Sequence, residues 1–394
     1  MSKRCALIYS DRYQGYELSP SHPMKPERLM LTYELIRAYG MPGTGAEVVE
    51  PGAASDGELA LIHDPEYIAR VKQLSEPGAS PAGGAGWGLG TGDNPVFPGM
   101  HEASALIAGA SITAAGRVVS GAADHAFNMA GGLHHALRAK ASGFCVYNDA
   151  AIAIAWLKRE YGARVLYLDI DAHHGDGVQY AFEEDPDVLT VSIHESGMYL
   201  FPGTGFTSEN GRGAGSGYAV NLPLPPGAAD EELLAAYDAL VPPLAHAFRP
   251  DIIVTQDGCD AHWSDPLSHL GLTIAGYRAL FERQHRLAHE AAGGRWLALG
   301  GGGYQAYTVV PRVWTVLLAV MAGRELPDEL PEDWRRLCAR FETGPLPHRL
   351  SEDAPPRQPA SEAGRIRASI SKSIDEVKNG VAPPLRAAAG PAST

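Results

Sequence analysis

The stretch Val165 to Gly177, V-L-Y-L-D-I-D-A-H-H-G-D-G, runs an apolar segment straight into aspartates, histidines and glycines. In extended backbone alternate side chains share a face, so Asp169, Asp171 and His173 project together while Ile170 and Ala172 face the other way. Carboxylate and imidazole converging on one small volume suit a borderline metal such as Zn²⁺, and a site with fewer than four protein ligands keeps a position open for water or substrate. The plainer reading, a strand ending in a polar loop with a mutually satisfied Asp–His pair, does not account for polar groups packed so densely. The stretch supplies two ligands and needs a third. Asp257, Asp260, His262 and Asp265 in Q-D-G-C-D-A-H-W-S-D-P-L are the candidates, and spacing does not choose among them. Asp169 and Asp176 are then extra carboxylates, and orienting a histidine through its second nitrogen is the common job of such groups.

Two further clusters complete a chemistry. The tandem His134-His135 in A-G-G-L-H-H offers an imidazole that could take a proton from an attacking water; taken alone, two histidines in a glycine-rich loop read equally well as exposed. Gly300 to Gly303 is followed by Tyr304 with neither G-x-G-x-x-G spacing nor a Lys-Ser/Thr pair, so it is no phosphate loop. Its glycines let backbone approach closely and leave the phenol of Tyr304 to donate to an oxyanion. Metal, base, water and oxyanion donor together describe amide hydrolysis.

Each cluster follows a segment that reads as a strand. Cys5–Tyr9, His125–Met129, the run from Val165, Leu189–Ile193, Ile252–Thr255 and Trp296–Leu299 are short apolar runs, and helical segments such as Glu102–Val119 and Ala150–Glu160 separate several of them. Alternating strand and helix predicts an α/β fold: one large domain with a central, mostly parallel sheet flanked by helices, and ligands beyond the carboxyl ends of its strands. A helix is expected from about His22 to Ile36, with Arg28 near its start read first as a surface ion-pair former, and another over His63–Val71. Pro77 to Asn94 is too rich in Gly and Pro for regular structure and is expected to form a loop over the pocket mouth, Trp87 and Asp93 giving it something to hold. The expected division is a main domain over 1–323, an extension over 324–380 and a frayed tail over 381–394. In the extension Ile366, Ile370, Ile374 and Val377 form a docking stripe at helical spacing, for the main domain or for a second subunit.

Composition bounds the setting. The chain has 394 residues, 45% of them hydrophobic, with a formal net charge of -14, which argues against a nucleic-acid or anionic-membrane surface and fits a neutral or cationic substrate. Four scattered cysteines without a C-x-x-C pair, no apolar leader and no run of membrane-spanning length lead to the expectation of a cytoplasmic protein; composition sets no oligomeric state.

Taken together, D-I-D-A-H-H-G-D-G, G-L-H-H, G-F-C-V-Y-N-D, F-P-G-T-G, D-P-L and G-G-G-G-Y over roughly residues 1 to 322 resemble the zinc-dependent histone deacetylase family, on its bacterial acetoin-utilization branch. The resemblance implies an arginase/deacetylase-like fold and one zinc per chain held by Asp171, His173 and Asp265. It implies His135 as general base, His134 as electrostatic support or proton donor, Asp169 and Asp176 as their carboxylate partners, and Tyr304 as oxyanion donor. It further implies Phe144 and Phe201 as tunnel walls, Asp93 as a rim carboxylate, and Gly302 in substrate binding. Arg28 would line an internal channel behind the metal, and structural potassium would sit on backbone oxygens of Asp169, Asp171 and His173 with the Ser192 hydroxyl. The substrate implied is N-acetyl-lysine on a protein, with acetyl-CoA synthetase as a suggested target; a small acetylated amine such as an acetylpolyamine is the competing expectation. Ser268-His269 stands after D-P-L where many relatives carry glycine, which bears on pocket shape. A ureohydrolase with two manganese ions would need more carboxylates than the matching loop offers, and an acyl-lysine-binding protein without turnover would not need every catalytic residue in place.

Overall fold

The computed structural model describes residues 4–352, 360–381 and Leu385. Eight strands form one sheet: β1 Cys5–Ile8, β2 Glu47–Val49, β3 His125–Asn128, β4 Val165–Asp169, β5 Val188–Glu195, β6 Ala219–Leu224, β7 Ile252–Gln256 and β8 Trp296–Leu299. Their spatial order is β2-β1-β3-β8-β7-β4-β5-β6, and every pairing is parallel. The helices are α1 Glu27–Ala38, α2 Asp56–Leu59, α3 Pro65–Ser75, α4 Met100–Val119, α5 Asp149–Tyr161, α6 Asp176–Phe182, α7 Asp230–Phe248, α8 Ile274–Ala291, α9 Val310–Met321, α10 Glu332–Cys338 and α11 Ala360–Gly380.

The central strands are buried along their whole length, as an apolar run flanked by helices should be. The edges differ. β2 is three residues of exposed to half-buried side chains, and β6 carries Pro223, which an edge strand tolerates because one of its sides needs no ladder donor. Neither has the apolar run that marks the six strands foreseen, and both escape a reading based on such runs.

The C-terminal stripe docks on the chain's own sheet. α11 packs along β6 and α7 with Ile366, Ile370 and Val377 buried and Ile374 half-buried. Thr207 Oγ1 donates to Glu376 at 2.8 Å and Asn210 Nδ2 to the Gly380 carbonyl at 3.2 Å, tying the helix to the loop before β6. Of the tail expected over 381–394, Val381 and Leu385 are buried against the core; the other residues lie outside the described ones. α10 is likewise seated, Trp334 donating from Nε1 to the Leu31 carbonyl of α1 at 2.8 Å.

Two local expectations are corrected. Residues Pro81–Trp87 form a 3₁₀ helix inside the glycine-rich segment, with Gly88 in the left-handed region after it. Trp87 turns toward Tyr67, ring centroids 6.1 Å apart, so it anchors the segment to the body instead of facing the pocket. Arg28 is no surface residue: it is 4% exposed, its Nη1 donates to the Gly303 carbonyl at 3.1 Å, and its guanidinium lies over the Trp314 ring.

Candidate active site

β4 ends at Asp169, and the turn after it meets the loop after β7, bringing three carboxylates and one imidazole together. Asp171 Oδ1 accepts from the His173 backbone N–H at 3.0 Å, and its Oδ2 from that of Gly302 at 2.7 Å. His173 Nδ1 lies 3.2 Å from Asp171 Oδ1 and 2.9 Å from Asp260 Oδ2, and Asp260 Oδ1 accepts from Ala172 N at 2.8 Å. One ligand atom from each of Asp171, His173 and Asp260 lies within 4.8 Å of the other two. Asp265 stands at the same opening, with one oxygen accepting from Tyr304 N at 2.8 Å and the other from Leu267 N at 2.9 Å.

The other two candidate ligands are elsewhere. Asp257 is held by Thr255 and Gln284 in the core, and His262 spans Ser264 and Glu352.

The donor set fits a divalent metal. Burial and then the neighbouring Asp171 charge push the Asp260 carboxyl up to about 7, and burial raises that of Asp265 to about 6. Carboxylates crowded so that they resist ionising together are stabilised by a shared cation. Glycines make the crowding possible: a Cβ on Gly258 or Gly302 would overlap the carboxylate of Asp171 or Asp260 respectively. Gly302 thus supports the cluster with its backbone.

The tandem histidines are buried, which ends the solvent-exposed reading. His134 donates from Nδ1 to Asp169 at 2.8 Å, His135 from Nδ1 to Asp176 at 2.7 Å, and the two Nε2 atoms are 3.1 Å apart. Burial works against charge on His134, but Asp169 and then Asp171 outweigh it and raise its pKa to about 9. Burial and the neighbouring His134 lower that of His135 to about 4. The pair is therefore split at neutral pH: a cationic His134 stands beside a neutral His135 that carries its hydrogen on Nδ1, toward Asp176, and keeps a lone pair on Nε2.

Around these groups stand Met24, Gly132, Gly143, Cys145, Gly301 and Tyr304. Phe201 meets His135 edge-on with centroids 5.0 Å apart, and Phe144 meets Tyr304 at 5.7 Å. Phe144 adopts φ 69°, an unusual setting for a residue with a Cβ, and it turns the ring to the opening. Burial holds the Tyr304 phenol protonated, its pKa well above the ordinary value. Asp93 is exposed at the rim, where its carbonyl lies 3.3 Å from His22 Nε2 and His22 in turn packs against Phe144. Ser192 Oγ lies 2.7 Å from His194 Nδ1 on β5, beside β4.

Positioning groups were missed from sequence. Asp149 accepts from Gly132 N and Leu133 N at 3.0 and 2.7 Å, fixing the turn before the tandem histidines. Asn148 caps α5 and donates to the His134 and Ala136 carbonyls, while its own N–H donates to His63 Nε2 at 2.9 Å. Asn148 and Asp149 sat in the N-D of a recognised motif without a role; His63 gave no signal.

Paired histidines and clustered carboxylates at the carboxyl ends of β3, β4 and β7, with Tyr304 beyond β8, are the equipment of a metal-dependent amide hydrolase. A family model described as histone deacetylase domain matches residues 22–321. The chain is 49% identical over 329 residues to the acetoin utilization protein AcuC of Bacillus subtilis (strain 168), covering 83% of this chain and 84% of that one. It is 38% identical over 352 residues to the protein of the same name from Staphylococcus aureus (strain MSSA476), covering 89% and 90%. A crystal structure of an HDAC homolog complexed with SAHA superposes with a TM-score of 0.84 at 31% identity, and one from Aquifex aeolicus with 0.82 at 30%; each match covers 94% of this chain and 100% of the other. The chain belongs to the histone deacetylase family, and it is a deacetylase, a hydrolase acting on amides. No helix among the described residues is long and apolar enough to cross a membrane.

Proposed function

We propose that the chain hydrolyses N-acetyl-lysine on cytoplasmic proteins, giving lysine and acetate, with one zinc held by Asp171, His173 and Asp265. The observation that carries this is the buried pair His134 and His135, each held through Nδ1 by its own aspartate, beside the carboxylate cluster. Zinc, when bound, polarises the amide carbonyl and makes an attacking water acidic.

The chain's own groups do the rest. His135 Nε2 takes the proton of the attacking water, Asp176 holding the ring in the tautomer that leaves that nitrogen free of hydrogen. His134, cationic on Asp169, stabilises negative charge beside it and has a proton for the departing lysine amine. Tyr304 donates its phenol hydrogen to the carbonyl oxygen as that oxygen becomes negative. Phe144 and Phe201 shield the acyl-lysine stem from water, and Asp93 holds substrate amides at the rim. Arg28 lines the channel behind the site, and potassium bound by the backbone of Asp169, Asp171 and His173 with Ser192 would stiffen the turn.

A protein substrate is supported by the exposed apolar run Met198, Tyr199 and Phe201, which leads to His135, and by Trp263, 41% exposed on the loop that carries Asp260 and Asp265. Acetyl-CoA synthetase is a target consistent with the AcuC likeness. Turnover of an acetyl-lysine peptide tests the reading. Tyr304→Phe is expected to keep its metal and lose roughly 10² to 10³ in kcat; full activity in that variant overturns the mechanism. A higher kcat/KM for acetylspermidine than for the peptide would shift the substrate to small amides.

A further inference from the structure

A second group of metal-ligating side chains lies at the other end of the sheet. His125 is the first residue of β3, so it sits at the amino end of a strand whose carboxyl end leads to the tandem histidines. His285 and His289 are four residues apart on α8 and share one face of that helix. His285 Nε2 lies 3.1 Å from His125 Nε2 and 3.3 Å from His289 Nε2. The rings stand nearly perpendicular to one another, at 80°, 79° and 86°, with centroids 4.8 to 5.2 Å apart. Trp296, paired in register with His125, packs against both His125 and His285.

We infer that His125, His285 and His289 form a second metal site, for a borderline divalent ion of the zinc type. Three features support it. An imidazole nitrogen has one in-plane direction for a hydrogen or a lone pair, yet His285 Nε2 is aimed at two nitrogens at once, which a shared cation satisfies. Ligands about 2.0–2.1 Å from a tetrahedral zinc are roughly 3.3 Å apart, close to the two separations that His285 Nε2 makes. Imidazole-only coordination suits zinc, copper or nickel and not the hard ions magnesium or calcium. The burial is graded from His125, fully buried, through half-buried His285 to exposed His289, so an ion can enter from solvent and be held from inside. Three protein ligands leave the fourth position to water. A bound ion would fasten the end of α8 to the amino ends of β3 and β8.

Metal counting after equilibrium dialysis of the full-length holoenzyme against Zn²⁺ or Co²⁺ tests this. Two ions per chain are expected for the wild type and one for His285→Ala/His289→Ala, with deacetylase turnover retained in that variant as evidence that it is folded. In the Asp171→Asn background one ion should remain, and it should disappear when the two alanines are added. The wild type should also gain thermal stability on adding Zn²⁺ beyond one equivalent, and the double variant should not. An unchanged metal count in the double variant, or a wild type that saturates at one ion, overturns the site.

Discussion

The aspartates of the site are not interchangeable, and their partners say which does what. Asp169 sets the proton on His134, so Asp169→Asn should lower that histidine's pKa. In the wild type kcat/KM is expected to rise with pH as His135 loses its proton near 4 and to fall as His134 loses its own near 9. The variant should move the alkaline limb to lower pH and leave the acid limb in place; an unmoved alkaline limb would show that His134 need not be charged. Asp260 and Asp265 are separable in the same way. Loss of Asp265 as a ligand should cost metal affinity directly. Asp260→Asn, removing a charge that meets His173 Nδ1, should cost roughly 10- to 100-fold in affinity while some metal-dependent turnover persists. Metal titrations of the two variants decide the third ligand. Residue types at strand ends were enough to single out Asp171, His173, the tandem pair and Tyr304, which line one pocket. They were not enough to rank Asp260 against Asp265, because that choice depends on which way two oxygens of one loop turn.

At the scale of elements, strands and helices were legible where a long apolar run or a helical stripe announced them, and illegible where packing alone made them. β2 and β6 exist because β1 and β5 offer them a free ladder, not because their residues demand extension. Arg28 was misread for a related reason: its burial is decided by Gly303 and Trp314, more than 270 residues away. α11 is the reverse case, since its isoleucine spacing announced a docked helix and β6 is what it covers. An uncovered edge strand is a template for pairing with other chains. Ile370→Ala is therefore expected to destabilise the fold by about 2–3 kcal/mol in a denaturant titration and to raise light scattering on heating. Turnover at low temperature should be unchanged, because α11 supplies no group to the pocket.

For the whole molecule, the strand order puts chemistry in the middle. β3, β8, β7 and β4 are consecutive neighbours in the sheet, and the loops at their carboxyl ends hold the groups assigned to catalysis. The chain carries a formal charge of -14, so association with a lysine-rich peptide should be favoured at low ionic strength. Raising salt from low to physiological levels is expected to raise KM for such a peptide with little change in kcat; a salt-independent KM would mean the field is too diffuse to steer.

Those four neighbours also impose a schedule on the chain as it folds. Residues 134, 171 and 265 meet only after strands far apart in sequence have paired, and long-range parallel pairing is the slow part of folding. The metal pocket is thus among the last things to exist, and an ion has little to grip before the sheet is registered. Zinc should leave the refolding rate where a chelator leaves it and slow unfolding instead, about tenfold for each 1.4 kcal/mol of binding stabilisation. Metal loading would then act as a latch on finished molecules, prolonging their lifetime without helping them form.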